Sequence, residues 1–257
     1  MQTEVRGLVI RTVDIKETDR LITIFTEEMG VVSAMARGAR SLKSRKMSST
    51  MQFCYSSFVL YMQGDKYWIK ESALIESFFD IRKTIEGLSL ANYIAEVLSD
   101  VTIAEADKDL LRLSLNSLYA ISSGKYELNK IKAVFEIRAA SILGFMPDVI
   151  SCANCGERLG DFFFDIMAGS IECAKCRREA EMIRVLPSDP HESRIICILS
   201  EGAKMALGYA IYSPLDKLFS FKIADEDMHL FSRAAEEYLL NQVGHTYKTL
   251  EFYKKIT

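Results

Sequence analysis

The 257-residue sequence has four prolines, three histidines and one tryptophan, and carries neither a net positive charge nor a long apolar run. So few prolines, with no internal repeat and no low-complexity stretch, leave room only for short linkers. His191, His229 and His245 all lie beyond residue 190. Their placement excludes a zinc deaminase, whose H-x-E precedes a P-C-x-x-C, and leaves the three to surface or capping roles. The formal net charge is -3, from 32 Lys and Arg against 35 Asp and Glu. A chain of that balance does not coat nucleic acid by bulk charge, so any such contact has to be local. Phosphate-loop, dinucleotide-fingerprint, nucleophile-elbow and H-E-x-x-H patterns are all missing, which removes the common enzyme signatures. The longest uncharged stretch, Met47 to Gly64, holds Ser48, Ser49, Thr50, Gln52, Ser56, Ser57 and Gln63. These are too many polar groups for hydrocarbon. Glu4 precedes any apolar run, so an ordinary signal peptide is not expected. The expectation is a soluble, cytoplasmic chain with no membrane partner and no small-molecule substrate.

What is present is apolar material for a core, at 49% of residues. Val5 to Ile10, Leu21 to Phe25 and Val31 to Ala36 are short apolar or alternating runs, broken by polar residues at Asp14 to Asp19 and by Gly30. Phe53 to Tyr61 and Tyr67 to Ile69, joined through Gly64-Asp65, read as a hairpin. About five strands in eighty residues predict a small barrel of the OB type, although the count also permits an SH3-like barrel. From residue 81 the period changes to three or four. Helices are expected over Ile81 to Leu98, Leu111 to Ile121 and Leu128 to Ile142, the last closed by Gly144 and Pro147, then over Ile195 to Leu207 and Asp225 to Gly244. The fold class is therefore α+β, a five-stranded OB-type β-barrel followed by an α-helical domain with a four-cysteine, zinc-ribbon-like insert. The divisions fall at 1–80 for the barrel, 81–149 for the first helical part, 150–180 for the cysteine-bearing insert and 181–257 for the second helical part.

Four of the six cysteines form two C-x-x-C pairs, Cys152 with Cys155 and Cys173 with Cys176, separated by seventeen residues. That is the spacing of a tetrathiolate site, in which each turn aims two sulfurs at one point. Four thiolates close the tetrahedron and leave no position for water or substrate, so the role is structural. A set of four sulfurs suits iron as well as zinc, with zinc the intracellular default. Phe162, Phe163, Phe164 and Gly169 between the pairs predict a short hairpin. Cys54 and Cys197 stand apart.

Between Met29 and Gly64 there is no acidic residue, while Arg37, Arg40, Lys43, Arg45 and Lys46 fall within ten positions. Cations interleaved with Gly38, Ser41 and Ser44 suit a phosphate backbone, read without regard to base sequence. A merely solvated loop is the alternative. Phe53, Tyr55, Tyr61, Tyr67 and Trp68 offer faces for base stacking, although aromatics alternating on strands more often turn inward.

In order and spacing, Gly7–Thr12 (GLVIRT), Glu17–Ile22 (ETDRLI), Thr26–Gly30 (TEEMG), Arg37–Arg40 (RGAR), Met51–Phe53 (MQF) and Leu143–Pro147 (LGFMP), followed by Cys152–Gly156 (CANCG), resemble the RecO family of bacterial DNA repair and recombination mediators. The match covers residues 1 to about 180, and the C-terminal helices in layout. Met51 and Cys54 stand where the family often has leucine and proline. The resemblance implies an OB domain that binds single-stranded and duplex DNA, a helical domain, and a zinc module that some members lack. It further implies annealing of complementary strands, and loading of the RecA recombinase with RecR and the single-strand binding protein SSB. A nucleoid-associated location and an absence of catalysis follow from the same resemblance. Two other readings stay open: a structural adaptor that acts by protein contacts without touching DNA, and an enzyme using acids that no motif marks.

Overall fold

The computed structural model describes residues 2–101, 107–183 and 194–257. His191 lies outside the described residues. Packing divides the chain into two compact units, residues 1–125 with 246–257, and residues 126–245.

In the first unit β1 (Gln2–Ile15), β2 (Asp19–Thr26), β3 (Gly30–Ala36), β4 (Cys54–Gln63) and β5 (Lys66–Ser77) close a barrel in the order β1-β2-β3-β5-β4. Every neighbouring pair is antiparallel except β3 with β5. Alternation places one side of each strand inside. Val5, Val9, Ile22, Ile24, Val32, Ala34, Phe58, Leu60 and Ile69 make the core. Gly7 is required where β1 passes β2, because a Cβ there would lie 2.5 Å from Ile24 Cγ2 and 2.6 Å from the Phe25 carbonyl oxygen. Leu8 and Ile10, on the other side of β1, are also buried, and β1 contacts the helices that follow.

After a 3₁₀ turn at Phe79–Lys83 come α1 (Ile85–Val101) and α2 (Lys108–Ser123). Helix α2 is capped by the Asp107 carboxylate, which accepts from the Leu110 N–H at 2.8 Å, and it stops at the left-handed Gly124. The expected first helix thus begins four residues late, since Ile81 belongs to the 3₁₀ turn. Helix α7 (Lys248–Ile256), which the sequence reading did not place, packs on α1 through Tyr93 and Tyr247, with ring centroids 5.8 Å apart.

The second unit is built on α3 (Leu128–Ile142), whose residues 130–137 are all buried. It is a central helix, and its amphipathic appearance in the sequence is incomplete because α5 (Glu201–Tyr212) and α6 (Asp225–Val243) both cover it. The Lys132 ammonium sits 3.0 Å from Glu136 Oε1 and 2.6 Å from Glu236 Oε2. Burial by itself lowers its pKa, and the two carboxylates outweigh burial and raise it. A three-stranded antiparallel sheet, β7-β6-β8, joins β6 (Phe162–Asp165), β7 (Ser170–Cys173) and β8 (Ile196–Leu199), with α4 (Ala174–Ile183) following β7. The single helix expected over Ile195 to Leu207 is a correction: Ile196–Leu199 is a strand paired with β6, and the helix starts after Ser200. The Ser200 side chain caps it by accepting from the Ala203 N–H at 3.1 Å. Among the described residues no helix is long and apolar enough to cross a membrane.

Candidate nucleic-acid interface and metal centre

Between β3 and β4 the chain runs through a succession of tight turns, with Ser41 N–H donating to the Gly38 carbonyl, Ser44 N–H to Ser41 and Met47 N–H to Ser44. Its entry is fixed at Gly38, whose φ of +66° is a glycine conformation. The Gly38 N–H donates to Asp19 Oδ1 at 2.8 Å, and that bond, ahead of the nearby Arg37 and Lys16, holds the Asp19 carboxyl below its ordinary pKa. Ala39 is fully buried, whereas Leu42 is 90% exposed at the far side of the loop.

The five cations singled out in the sequence have different surroundings. Arg40 is tethered, its Nη1 donating to the Lys16 carbonyl at 2.8 Å and its Nε lying 3.2 Å from Asp14 Oδ2. Lys46 Nζ donates to the Ile69 carbonyl at 2.7 Å, and burial, with Arg37 next, lowers its pKa. The Arg37 guanidinium lies over the Trp68 ring, 4.9 Å from the centroid. Lys43 and Arg45 are exposed. Of the aromatics, Phe53 is buried with φ +64°, Tyr67 packs against the barrel core, and Tyr55, Tyr61 and Trp68 are half-buried. The Tyr55 hydroxyl donates to Glu27, and burial together with that carboxylate pushes its pKa well up.

The outer face of the barrel changes charge over one step along the strands. Gln2, Tyr61 and Trp68 are register partners across β1, β4 and β5, and with Arg37, Lys46 and Lys70 they border a hollow of about 460 Å³. Two residues further on, Glu4, Val59 and Glu71 are partners, and with Glu27, Glu28 and Arg6 they border a groove of about 630 Å³. The sequence reading missed Gln2 and Lys70. No local signal joins them, since Gln2 meets Tyr61 and Trp68 only through the pairing of β1, β4 and β5.

In the second unit the four expected cysteines converge. Their Sγ atoms all lie within 4.8 Å of one another, and Cys155 Sγ is 3.7 Å from Cys173 Sγ. That separation is too long for a disulfide, and it matches the edge of about 3.8 Å of a tetrahedron built on metal–sulfur bonds of about 2.3 Å. Cys152 and Cys155 form a tight turn closed by Gly156 N–H on the Cys152 carbonyl at 2.9 Å, Cys173 ends β7, and Cys176 lies in the first turn of α4. Backbone N–H groups point at the sulfurs, Cys173 N–H on Cys152 Sγ at 3.3 Å and Cys176 N–H on Cys173 Sγ at 3.5 Å. Burial raises the Cys152 pKa, but N–H donors from Cys173, Asn154 and Cys155 overcome it and bring the thiol down to about 6. The four converging sulfurs therefore fit a metal held by thiolates, with Cys152 and Cys173 buried and Cys155 at the surface. Cys54 and Cys197 are buried elsewhere and free.

The molecule is thus an α+β protein in which a closed OB-type barrel precedes a helical region that includes a tetracysteine cluster. Residues 1–78 match the family described as Recombination protein O N terminal, and residues 82–251 match Recombination protein O C terminal. The chain is 35% identical over 252 residues to a DNA repair protein RecO of Acetivibrio thermocellus, covering 97% of this chain and 95% of that one. A DNA repair protein RecO of Caldicellulosiruptor saccharolyticus is 31% identical over 69% of this chain and 73% of its own. One from an Exiguobacterium species is 26% identical over 97% and 94%. The chain belongs to the RecO family of DNA repair and recombination proteins.

Proposed function

We propose that this chain is a recombination mediator that binds single-stranded DNA, and duplex DNA as well, through the barrel of residues 1–80. It anneals complementary strands and, with RecR and SSB, helps to load RecA onto SSB-coated DNA, in the cytoplasm at the nucleoid and without catalysing a reaction. The carrying observation, within this family, is the acid-free segment from 37 to 46 folded on the barrel surface, where Arg37, Arg40, Lys43, Arg45 and Lys46 surround Gly38 and the serines. These groups bind the phosphate backbone. No helix holds them for a groove, so they do not read base sequence. The tethers of Arg40 and Lys46 limit their motion and leave Lys43 and Arg45 the freest to reach a strand. Cys152, Cys155, Cys173 and Cys176 hold one structural zinc, which when bound supplies a cross-link and no open coordination position.

Single-strand affinity measured across a salt series tests the phosphate contacts. About four contacts give a slope of log K on log salt near -3, at about -0.7 for each phosphate neutralised. Replacing Arg40→Ala and Arg45→Ala together flattens that slope by about 1 to 1.5 and weakens all sequences alike. An unchanged slope in a folded double variant would move the DNA path off this loop, and no binding at all would favour an adaptor that works through protein contacts.

A further inference from the structure

Trp68 is the chain's single tryptophan and stands on the outer surface of β5, in register with Tyr61 of β4 and Met35 of β3. The hollow in front of it combines three features that no single small role needs together. The indole and Tyr61 supply aromatic surface. The Arg37 guanidinium lies on the indole as a planar cation. Two ammonium groups end on neutral oxygens, Lys46 Nζ on the Ile69 carbonyl at 2.7 Å and Lys70 Nζ on Gln2 Oε1 at 3.2 Å. No carboxylate lines the hollow, and Glu71 is the acid that bears on Lys46 from beside it. A simple anion would use the cations and have no use for the indole. An apolar ligand would not call for three cations.

We propose that this hollow takes one unpaired nucleobase of single-stranded DNA, stacked on Trp68, with the phosphate next to it between Lys46 and Lys70. The inference rests on the DNA-binding reading above and adds the means by which an unpaired strand is told from a duplex. Arg37 keeps the platform covered in the free protein. A base offers the indole a broader π face than the guanidinium does, and the displaced guanidinium gains a charge-assisted, two-pronged bond to phosphate. Duplex DNA offers the same phosphates, but its base faces are covered by their neighbours in the stack. The loop cations therefore bind both forms, and Trp68 favours the unpaired one.

Because Trp68 is alone, its emission reports on this site in the unaltered full chain. A dye-labelled single strand of about twenty nucleotides, longer than one OB barrel spans, and a duplex of equal length are titrated in parallel, with dye anisotropy giving occupancy. The expected result is quenching of Trp68 that tracks single-strand occupancy and is absent with duplex at equal occupancy. Trp68→Ala weakens single-strand binding roughly 10-fold, within the range of one lost stacking contact, and leaves duplex affinity unchanged, while Trp68→Phe restores most of the loss. Flat emission on a saturated single strand, or equal quenching by both forms, overturns the inference and leaves phosphate binding standing. No anisotropy change with either DNA overturns both.

Discussion

The barrel and the cysteine module are held together in different ways. In the barrel Val9, Ile22, Ile24, Ala34 and Leu60 have no exposed surface, and every strand pairs with a neighbour on each side. In the module every residue from 153 to 161 is exposed, and the feature common to the two knuckles is four converging sulfurs. One region stands on apolar burial, which is indifferent to chelators and thiol chemistry. The other adds to a small apolar sheet, where Phe162, Phe164 and Ile171 are buried, four cysteines whose capacity to hold a metal depends on their staying reduced. One chain thus combines a barrel closed around an apolar core with a segment whose four sulfurs converge closely enough to clip it through a metal.

The largest effect expected from breaking this contrast is in the barrel core. Phe58→Ala removes a ring that is 1% exposed and should cost about 3–5 kcal/mol, read by denaturant unfolding followed at Trp68. DNA binding should fall with the folded fraction. Retained stability would mean that apolar burial is not what holds the barrel. Next comes Cys173→Ser. Metal analysis should go from about one zinc per chain to none, amide exchange should rise over residues 150–176, and single-strand affinity should stay within about twofold. A variant that kept its protection without metal would place the module on the same footing as the barrel.

The smallest effect concerns a polar anchor of the barrel. Asp19→Ala removes the acceptor of the Gly38 N–H and should speed exchange at Gly38 and Arg40 without a change in global unfolding. Since the folded Asp19 carboxyl lies below its ordinary pKa of 3.8, its contribution is complete above that value and is lost as pH falls through the lower folded one. Gly38 protection, corrected for intrinsic exchange, should therefore be level from pH 8 to pH 5 in the natural chain. A decline in that window would point to a different titrating group.

The parts of this architecture most legible in the sequence were those with a strict local rule. Short apolar or alternating runs between polar breaks marked about five strands, and C-x-x-C spacing marked the cysteine cluster. Ile195 to Leu207 misled because its apolar residues fit no single period, although Ser200, a good N-cap, divides it where the strand ends and α5 begins. Helix α7 was overlooked beyond the stop at Gly244, since only Leu250 and Tyr253 mark its buried side. The loop cations were visible as charges, but their partners were not. Nothing local ties Arg40 to Asp14 or Lys46 to the Ile69 carbonyl, both contacts that exist only once β1 and β5 are in place. Similarly, Tyr67-Trp68-Ile69 is a run of three apolar residues, and the sequence alone leaves undecided which of them faces outward.

The seams of the barrel are unequal. β3 and β5 meet over only two register pairs, Ala34 with Tyr67 and Met35 with Trp68, while the other four seams each run for seven pairs or more. A cylinder of strands opens first at its shortest seam, and Trp68 is itself one half of that seam. With a base stacked on the indole as proposed, binding and closure of that seam belong to one equilibrium, and a bound strand should slow the opening of the wall on which it lies.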